Sequence, residues 1–369
     1  MMEIAILSFL TFIFIYGYFG YPLFLFVLDS LFHPGSKHKK YTPCNGFSVL
    51  ISVKNEAVNI VNKLNNLFSL NMVDFEIEVI VVSDGSDDIT ITLLNKYPSS
   101  NLRVIESRVN NGKPISLNTA IGLCKFDTIL FADSRQSFDS QVIVELLDEL
   151  KSNDVSCVSG QLFPKQSNKG VGTGVDLYWK IEKFIRRVES DLFSSIGCTG
   201  AIYAIKGPSY HPIPSDTLLD DVVIPMKVLV NGRKVKFRST AMAYDFQKLD
   251  RKIETKRKAR TIGGNFQMLF RYPEFLIARP FIIGFLYFSH KISRLISPFA
   301  LLAIFALMVQ ILPSMLWKFV FILGVPTLFF SLRIFNSKLF SKGSAFLFLN
   351  YMVFKGLFYY LRGSYKKGW

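Results

Sequence analysis

The sequence predicts an α/β domain with a mostly parallel sheet, flanked by transmembrane helices, and three observations carry that prediction. Short apolar runs alternate with helical patterns from residue 46 to about residue 270. An acidic series, Asp84, Asp133 and Asp221, stands at predicted strand ends or in short loops of that stretch. Half of the 369 residues are hydrophobic, 36 of them Phe, and long uncharged runs lie near both ends. That content exceeds what an ordinary soluble domain carries, so part of the chain belongs in lipid.

Ile4 to Leu28 is free of charge, and ~20 apolar residues suffice to cross a hydrocarbon core. The Met-Met-Glu start lacks the basic n-region of a signal peptide, and no small-residue cleavage site follows, so the segment reads as an uncleaved anchor. Lys37, Lys39 and Lys40 follow it, which places the next domain in the cytoplasm by the positive-inside rule. Residues 1–33 are therefore the anchor and 46–272 the cytoplasmic domain.

Within that domain Phe47 to Val53, Glu76 to Ser83, Leu102 to Ile105 and Thr128 to Ala132 read as strands. Asn55 to Leu70, Asp88 to Tyr97, Lys113 to Cys124 and Asp139 to Leu150 read as the helices between them. Ligands of such sheets bind at the carboxyl ends of the strands. Those ends carry Lys54-Asn55-Glu56, Asp84-Gly85-Ser86-Asp87-Asp88 and Asp133-Ser134-Arg135. No GxGxxG follows the first strand, which disfavours a dinucleotide fold, and the glycines of 170–174 lack a βα context.

Each acid has a structural and a chemical reading. Asp84 follows VIVVS and precedes a Gly-Ser turn: an Asx-turn or helix cap explains it, with Asp87 and Asp88, as simply as a ligand contact does. Asp133, leaving a buried strand beside Ser134, suits Mg²⁺ or Mn²⁺ bridging phosphate oxygens, or a helix cap near Asp139. Asp220-Asp221 opens the helical pattern VVIPMKVLVNG, where the helix dipole favours negative charge without any function. One of the pair serves as a cap and the other does chemistry in this reading. Their apolar neighbours Leu218, Leu219, Val222 and Val223 favour a raised pKa for Asp221, or are simply core. Tyr178, Trp179, Tyr203 and Tyr210 are either sugar-stacking surfaces or packing.

Toward the C-terminus, Pro273 to His290 is apolar and aromatic but broken by Arg279 and Pro280, as in a helix lying on the membrane surface. Leu295 to Trp317 and Phe319 to Leu332 read as two spans of a hairpin, interrupted by Pro313-Ser314 and Lys318. Arg333 to Lys342 reads as a basic loop, and Gly343 to Leu361, with Lys355 near its middle, is a span or an interfacial helix. Residues 273–369 thus form the interfacial and C-terminal membrane region.

Net charge is +15, and Arg233 to Arg260 alone contributes +8. Contact with anionic lipid headgroups and a phosphate-binding site are the competing explanations, with nucleic acid disfavoured. Cys44, Cys124, Cys157 and Cys198 form no CxxC pair and read as reduced thiols. The four scattered His give no metal-ligand spacing, which argues against zinc chemistry.

The segments FSVLISVKNEAVNI, EVIVVSDGSDD, NNGKPISLNTAI, LFADSRQSF, CTGAIYAIKG, LLDDVVIP and KRKARTIGGNFQ, in this order and spacing, resemble a membrane-bound family 2 glycosyltransferase with a GT-A fold. The branch is that of cellulose, chitin and hyaluronan synthases and bacterial exopolysaccharide enzymes. The resemblance implies an inverting enzyme of the bacterial plasma membrane that moves a sugar from a nucleotide-sugar donor, with a bias to UDP. The acceptor it implies is lipid-linked or a glycan, at the cytoplasmic face, for exopolysaccharide, capsule or O-antigen; partner subunits of a synthase complex are compatible with it. An inactive nucleotide-sugar-binding subunit is the alternative.

Residue by residue, the resemblance implies that Asp84, with Glu56, holds the uracil and ribose and that Lys113 lies near the phosphates. Asp133 takes the first acidic position of the DxD motif and a metal, Mg²⁺ or Mn²⁺. Asp221 matches the base of the ED or TED motif, and Arg257 and Arg260 fall where a Q/RxxRW segment covers the diphosphate. Two positions depart from the pattern. Arg135 replaces the second DxD acid, so either Asp133 binds the metal with fewer ligands or Arg135 takes over charge neutralisation. Thr261 replaces the Trp of processive synthases, which favours addition of one or a few sugars.

Overall fold

The computed structural model describes residues 1–32, 45–70, 75–164, 173–246, 251–335 and 337–363. Lys37, Lys39, Lys40, Cys44, the start of the 170–174 glycine run and the side chain of Tyr178 lie outside the described residues. The chain divides into two compact units that interleave in sequence. One comprises residues 34–166, 189–251 and 362–369, the other residues 1–33, 167–188 and 252–361.

The first unit is built on an eight-stranded mixed sheet: β1 Gly46–Val53, β2 Glu76–Asp84, β3 Leu102–Ser107, β4 Thr128–Ala132, β5 Ser137–Phe138, β6 Val155–Pro164, β7 Ile202–Lys206 and β8 Lys234–Asp245. Their order is β3-β2-β1-β4-β7-β6-β8-β5. β1 is buried along its whole length, which explains its predominantly apolar sequence, with Ser48 and Ser52 as its only polar side chains. It pairs in parallel with β2 and β4, and β2 with β3. β7 then runs antiparallel to both β4 and β6. Helices Ile60–Phe68, Thr90–Asn95, Lys113–Ile121 and Val142–Leu150 connect the strands. The core gathers Val49, Ile51, Val81 and Leu130 of the sheet with Ile60, Leu64, Leu146 and Leu147 of the helices.

The predicted helix from Asn55 starts only at Ile60. Asn55 has a left-handed φ of 57°, and residues 55–59 turn before the helix begins. The basic stretch from Arg233 onward is not one patch. Its first part is strand β8, whose alternation puts Val235 and Phe237 inside and Lys234, Lys236 and Arg238 out. Lys234 pairs with Asp154 at 2.7 Å and Arg238 with Glu145 at 2.6 Å, while Lys236 donates to the carbonyl of Ser190. The rest lies on helix Arg251–Arg271 of the other unit.

That second unit is helical. Met2–Leu31, Ile282–Ile311 and Leu339–Leu361 are long and apolar enough to cross a membrane. The first two each contain one π-turn, at Tyr16–Gly20 and Phe288–Ile292. Tyr16 meets Ser289 Oγ at 2.6 Å, and Tyr18 donates to Asn350 Oδ1 at 2.8 Å. A Cβ on Gly17 would fall 2.2 Å from Ser297 Oγ, so only Gly lets these two helices approach as they do. Glu182, buried on helix Thr173–Leu192, accepts from His290 Nε2 at 3.0 Å and Arg294 at 2.8 Å, with Arg186 and Lys291 at 3.3 and 3.5 Å.

Several membrane expectations change. Pro273 to His290 is not a separate surface helix: a 3-10 turn covers Pro273–Leu276, and from Ile282 the chain runs on helically to Ile311, through Gly284 and Pro298. The hairpin turn does fall at Leu312–Ser314, and the helix after it runs Met315–Phe335, apolar through Ser331. Arg333 to Lys342 is helical on both sides of residue 336 rather than a loop. The last stretch, Lys355 included, lies in a helix of spanning length.

Candidate active site

The parallel strands β2, β1 and β4 end side by side, so their following loops form one edge. The loop after β1 is tied to that after β2: Asn55 Nδ2 donates to Asp87 at 2.6 Å, Asp87 N returns to Asn55 Oδ1 at 3.0 Å, and Ala57 N reaches Asp88 at 3.3 Å. Asp88 also accepts from Thr90 N at 2.9 Å, an Asx-turn. Half-buried Glu56 accepts from Asn59 Nδ2 at 2.6 Å.

Asp84, expected near the base and ribose, is held by the protein's own backbone. It is wholly buried, and its two oxygens accept from Asn111 N at 2.8 Å and Gly112 N at 2.7 Å. Its carboxylate fixes the loop leading into helix Lys113–Ile121. Gly112, at φ 89°, adopts the left-handed conformation this turn requires.

Lys113 opens that helix and points into a nest of acids. Its Nζ lies 3.2 Å from Asp133 Oδ1 and 3.2 Å from Asp220 Oδ2. Burial disfavours the ammonium, but Asp133, Asp220 and Asp221 outweigh it and hold the Lys113 pKa above its ordinary value. Burial likewise opposes the charge of Asp133, yet Lys113, Arg135 and Lys63 keep its carboxyl below the usual range.

Asp221 arrives through the antiparallel strand. Ala132 of β4 is in register with Ile202 of β7, so the loop before β7 sits beside Asp133. Gly200 N donates to Asp221 Oδ2 at 3.2 Å, and Cys198 N to the Asp221 carbonyl at 2.7 Å. Asp220 and Asp221 are the first two residues of helix Asp220–Val230, neither acting as its side-chain cap. Asp220 is buried against Lys113 and Asp221 is half-buried. The split between the two acids is therefore an ion pair for one and an accessible carboxylate for the other.

Two residues that sequence reasoning missed support the Asp133 loop. Lys63, 2% exposed, donates to the Gln136 carbonyl at 2.8 Å and lies 3.3 Å from the centre of the Phe138 ring. Gln136 Nε2 donates to Asp245 at 3.0 Å. The signal for Lys63 was present: it shares the apolar stripe of Ile60, Leu64 and Leu67, where a lysine has no solvent to reach.

Other expected site residues fall elsewhere. Tyr203 and Tyr210 are buried and stack on Phe131, with ring centroids 4.5 and 6.2 Å away, so they are packing and not sugar platforms. Burial raises the pKa of both, helped by Asp220. Trp179 is partly exposed on a helix of the second unit. Arg257 and Arg260 lie on helix Arg251–Arg271 of that unit.

The donor set does not suit a divalent metal. Among the described residues no group of three His, Cys, Asp or Glu side chains is placed to hold a metal ion, the acids around Lys113 included. Arg135 holds the position of a second acid, and Asp133 Oδ1 already faces the Lys113 ammonium.

Residues 48–206 match the family model described as glycosyl transferase family 2. The poly-beta-1,6-N-acetyl-D-glucosamine synthase of Staphylococcus epidermidis is 22% identical over 248 residues, covering 61% of this chain and 58% of its own length. The poly(ribitol-phosphate) beta-glucosyltransferase of Bacillus spizizenii is 32% identical over 140 residues, 35% of this chain and 22% of its own. The chain thus spans less than two thirds of these relatives. A solved mannosyltransferase of Pyrobaculum calidifontis, in complex with GDP-Man and Mn²⁺, superposes with a TM-score of 0.72 at 18% identity over 98% of this chain and 99% of that one, a likeness of fold.

Proposed function

We propose, for a chain whose residues 48–206 are a family 2 glycosyltransferase domain, that it transfers a sugar with inversion from a nucleotide-sugar donor to a lipid-linked or glycan acceptor. The observation that carries this reading is the convergence of Asp133, Asp220 and Asp221 on Lys113 at the carboxyl edge of β4. A leaving diphosphate needs fixed positive charge, and an attacking hydroxyl needs a base; this edge supplies both side by side.

In the reaction, the acceptor hydroxyl attacks the anomeric carbon as the bond from that carbon to the diphosphate oxygen breaks. The nucleoside diphosphate leaves with the bonding electrons, and the hydroxyl proton passes to Asp221. The transition state has oxocarbenium character, as in glycosidases. Gly200 N orients the Asp221 carboxylate, Lys113 and Arg135 face the diphosphate, and the tied loops after β1 and β2, with Glu56, frame the nucleoside. Asp84 acts through the loop it braces. Arg257 and Arg260 belong to the basic helix that would meet anionic headgroups or the donor diphosphate.

Among the described residues three helices long and apolar enough to span support a membrane enzyme, and the poly-N-acetylglucosamine synthase and poly(ribitol-phosphate) glucosyltransferase relatives support a polymeric product; the cytoplasmic face is the side that the resemblance implies. UDP-sugars lead the donor candidates, with GDP-mannose, named with the solved mannosyltransferase, next. The test is release of nucleoside diphosphate from a panel of nucleotide sugars by the detergent-solubilised chain with a membrane-lipid extract as acceptor. Turnover of one donor supports the reading; donor binding without turnover in the presence of bacterial lipid extracts supports an inactive binding subunit instead.

A further inference from the structure

We infer that this chain binds the donor diphosphate with its own cations, Lys113 and Arg135, and requires no divalent metal to do so; the inference rests on the transfer reading above. The position a metal would take is filled by chemistry already present. The Lys113 ammonium sits 3.2 Å from Asp133 Oδ1 and 3.2 Å from Asp220 Oδ2, bridging the two carboxylates that face this point. Mg²⁺ and similar ions are held by one or two carboxylates together with phosphate oxygens and water. Here Asp133 and Asp220 both face the Lys113 ammonium, and the side chain two residues past Asp133 along the loop, Arg135, is a cation. A dication approaching Asp133 meets Lys113 and Arg135, whereas a diphosphate meets them as partners.

Both side chains have capacity for the anion. An ammonium has three donors, and Lys113 gives one to Asp133 while lying within ion-pair distance of Asp220, which leaves donor capacity for the anion. Arg135 is half-buried at the strand end and makes no hydrogen bond or ion pair among the described residues. Its planar fork matches two phosphate oxygens at once. Lys113 also opens the nine-residue helix Lys113–Ile121, whose N-terminal dipole attracts the same charge. The geometry therefore gives Arg135 the diphosphate contact that the acid–metal pair supplies where a second acid is present.

The test is calorimetric binding of UDP and GDP to the detergent-solubilised full chain, in EDTA and in Mn²⁺, with thermal unfolding as the folding control for each variant. At least one nucleotide binds in EDTA, and Mn²⁺ changes its Kd by less than about threefold. Losing a charge-assisted phosphate contact costs on the order of tenfold or more in affinity, so Arg135→Gln weakens binding in EDTA by about that factor and Arg135→Lys by less. Arg135→Asp, which restores a second acid, binds only with Mn²⁺. Wild-type binding that needs Mn²⁺, an Arg135→Gln affinity equal to wild type, or no binding of either nucleotide in either buffer overturns the inference. Mn²⁺-dependent binding alongside Mn²⁺-dependent transfer leaves the transfer reading intact. Metal-free binding without transfer from any donor does the reverse.

Discussion

Replacing Lys63 by Met should stabilise the chain at neutral pH and flatten the pH dependence of its stability. The lysine is enclosed, with one hydrogen bond to the Gln136 carbonyl and an aromatic face at Phe138. Burial, partly offset by Asp133, lowers its pKa from 10.5 to about 7. Because the folded value lies below the unfolded one, the unfolded chain binds more protons between pH 7 and 10.5, and stability rises with pH across that window. Below pH 7 both states are protonated and the cost of burying the ammonium is fully present. At about 1.4 kcal/mol per unit of displacement, the whole effect is on the order of 5 kcal/mol, of which about 2 kcal/mol accrues between pH 7 and pH 9. Met fills a similar volume without a titrating group and loses one hydrogen bond, worth about 1 kcal/mol. Unfolding of the detergent-solubilised wild type and Lys63→Met, followed from pH 6 to pH 9.5, should show the variant ahead at pH 7 and the gap closing as pH rises. Parallel curves for the two proteins would refute the reasoning, since other titrating groups cancel in the difference.

Other perturbations follow from the same contacts. Glu182→Leu leaves His290, Arg294 and Arg186 facing a buried apolar side chain and should cost about 3–5 kcal/mol; an unchanged thermal midpoint would contradict this. Tyr203→Phe removes a buried hydroxyl that has no hydrogen-bond partner, so stability should stay within about 1 kcal/mol or rise, and a larger loss in a denaturant titration would reveal a partner in solution. Gly85→Ala should destabilise by about 1–3 kcal/mol, because φ there is 64° and the new Cβ would fall 2.7 Å from Asn110 N; wild-type stability in the same titration would show that the turn relaxes.

The β1 to β4 half was legible because β1, β4 and the second half of β2 are buried on both faces and so read as largely apolar runs, with turns and acids after them; the outer strand β3, with no buried residue, showed only in its short Leu102 to Ile105 core. β6 was not named from sequence: VSCVSGQLFP mixes Ser, Gly and Gln into a strand whose first six residues are buried, and a small polar residue in a packed sheet looks like a loop. β8 was hidden by its charge, since its outward lysines and arginine dominate a composition window while Val235 and Phe237 supply the fold. At the site, Asp133 and Asp221 stood out as acids in short motifs, but partnership is a three-dimensional fact. That two amides of the loop after β3 hold Asp84 depends on β3 lying beside β2, and that Lys113 lies between Asp133 and Asp220 depends on β7 running antiparallel to β4, neither of which a local pattern encodes. Lys63 lay on the apolar stripe of its helix, in view of a periodicity test that attended only to the apolar residues.

The central claim is that Asp221 is the base of a glycosyl transfer. Its most direct test compares wild type with Asp221→Asn for nucleoside-diphosphate release from the accepted donor, with the dissociation constant of that donor measured on the same samples. A base typically contributes ~10²- to 10⁴-fold, so release should fall by that factor while the dissociation constant stays within about threefold, the Lys113 ion pair to Asp133 and Asp220 being left in place. Release at the wild-type rate by Asp221→Asn, with donor bound equally well, would contradict the claim.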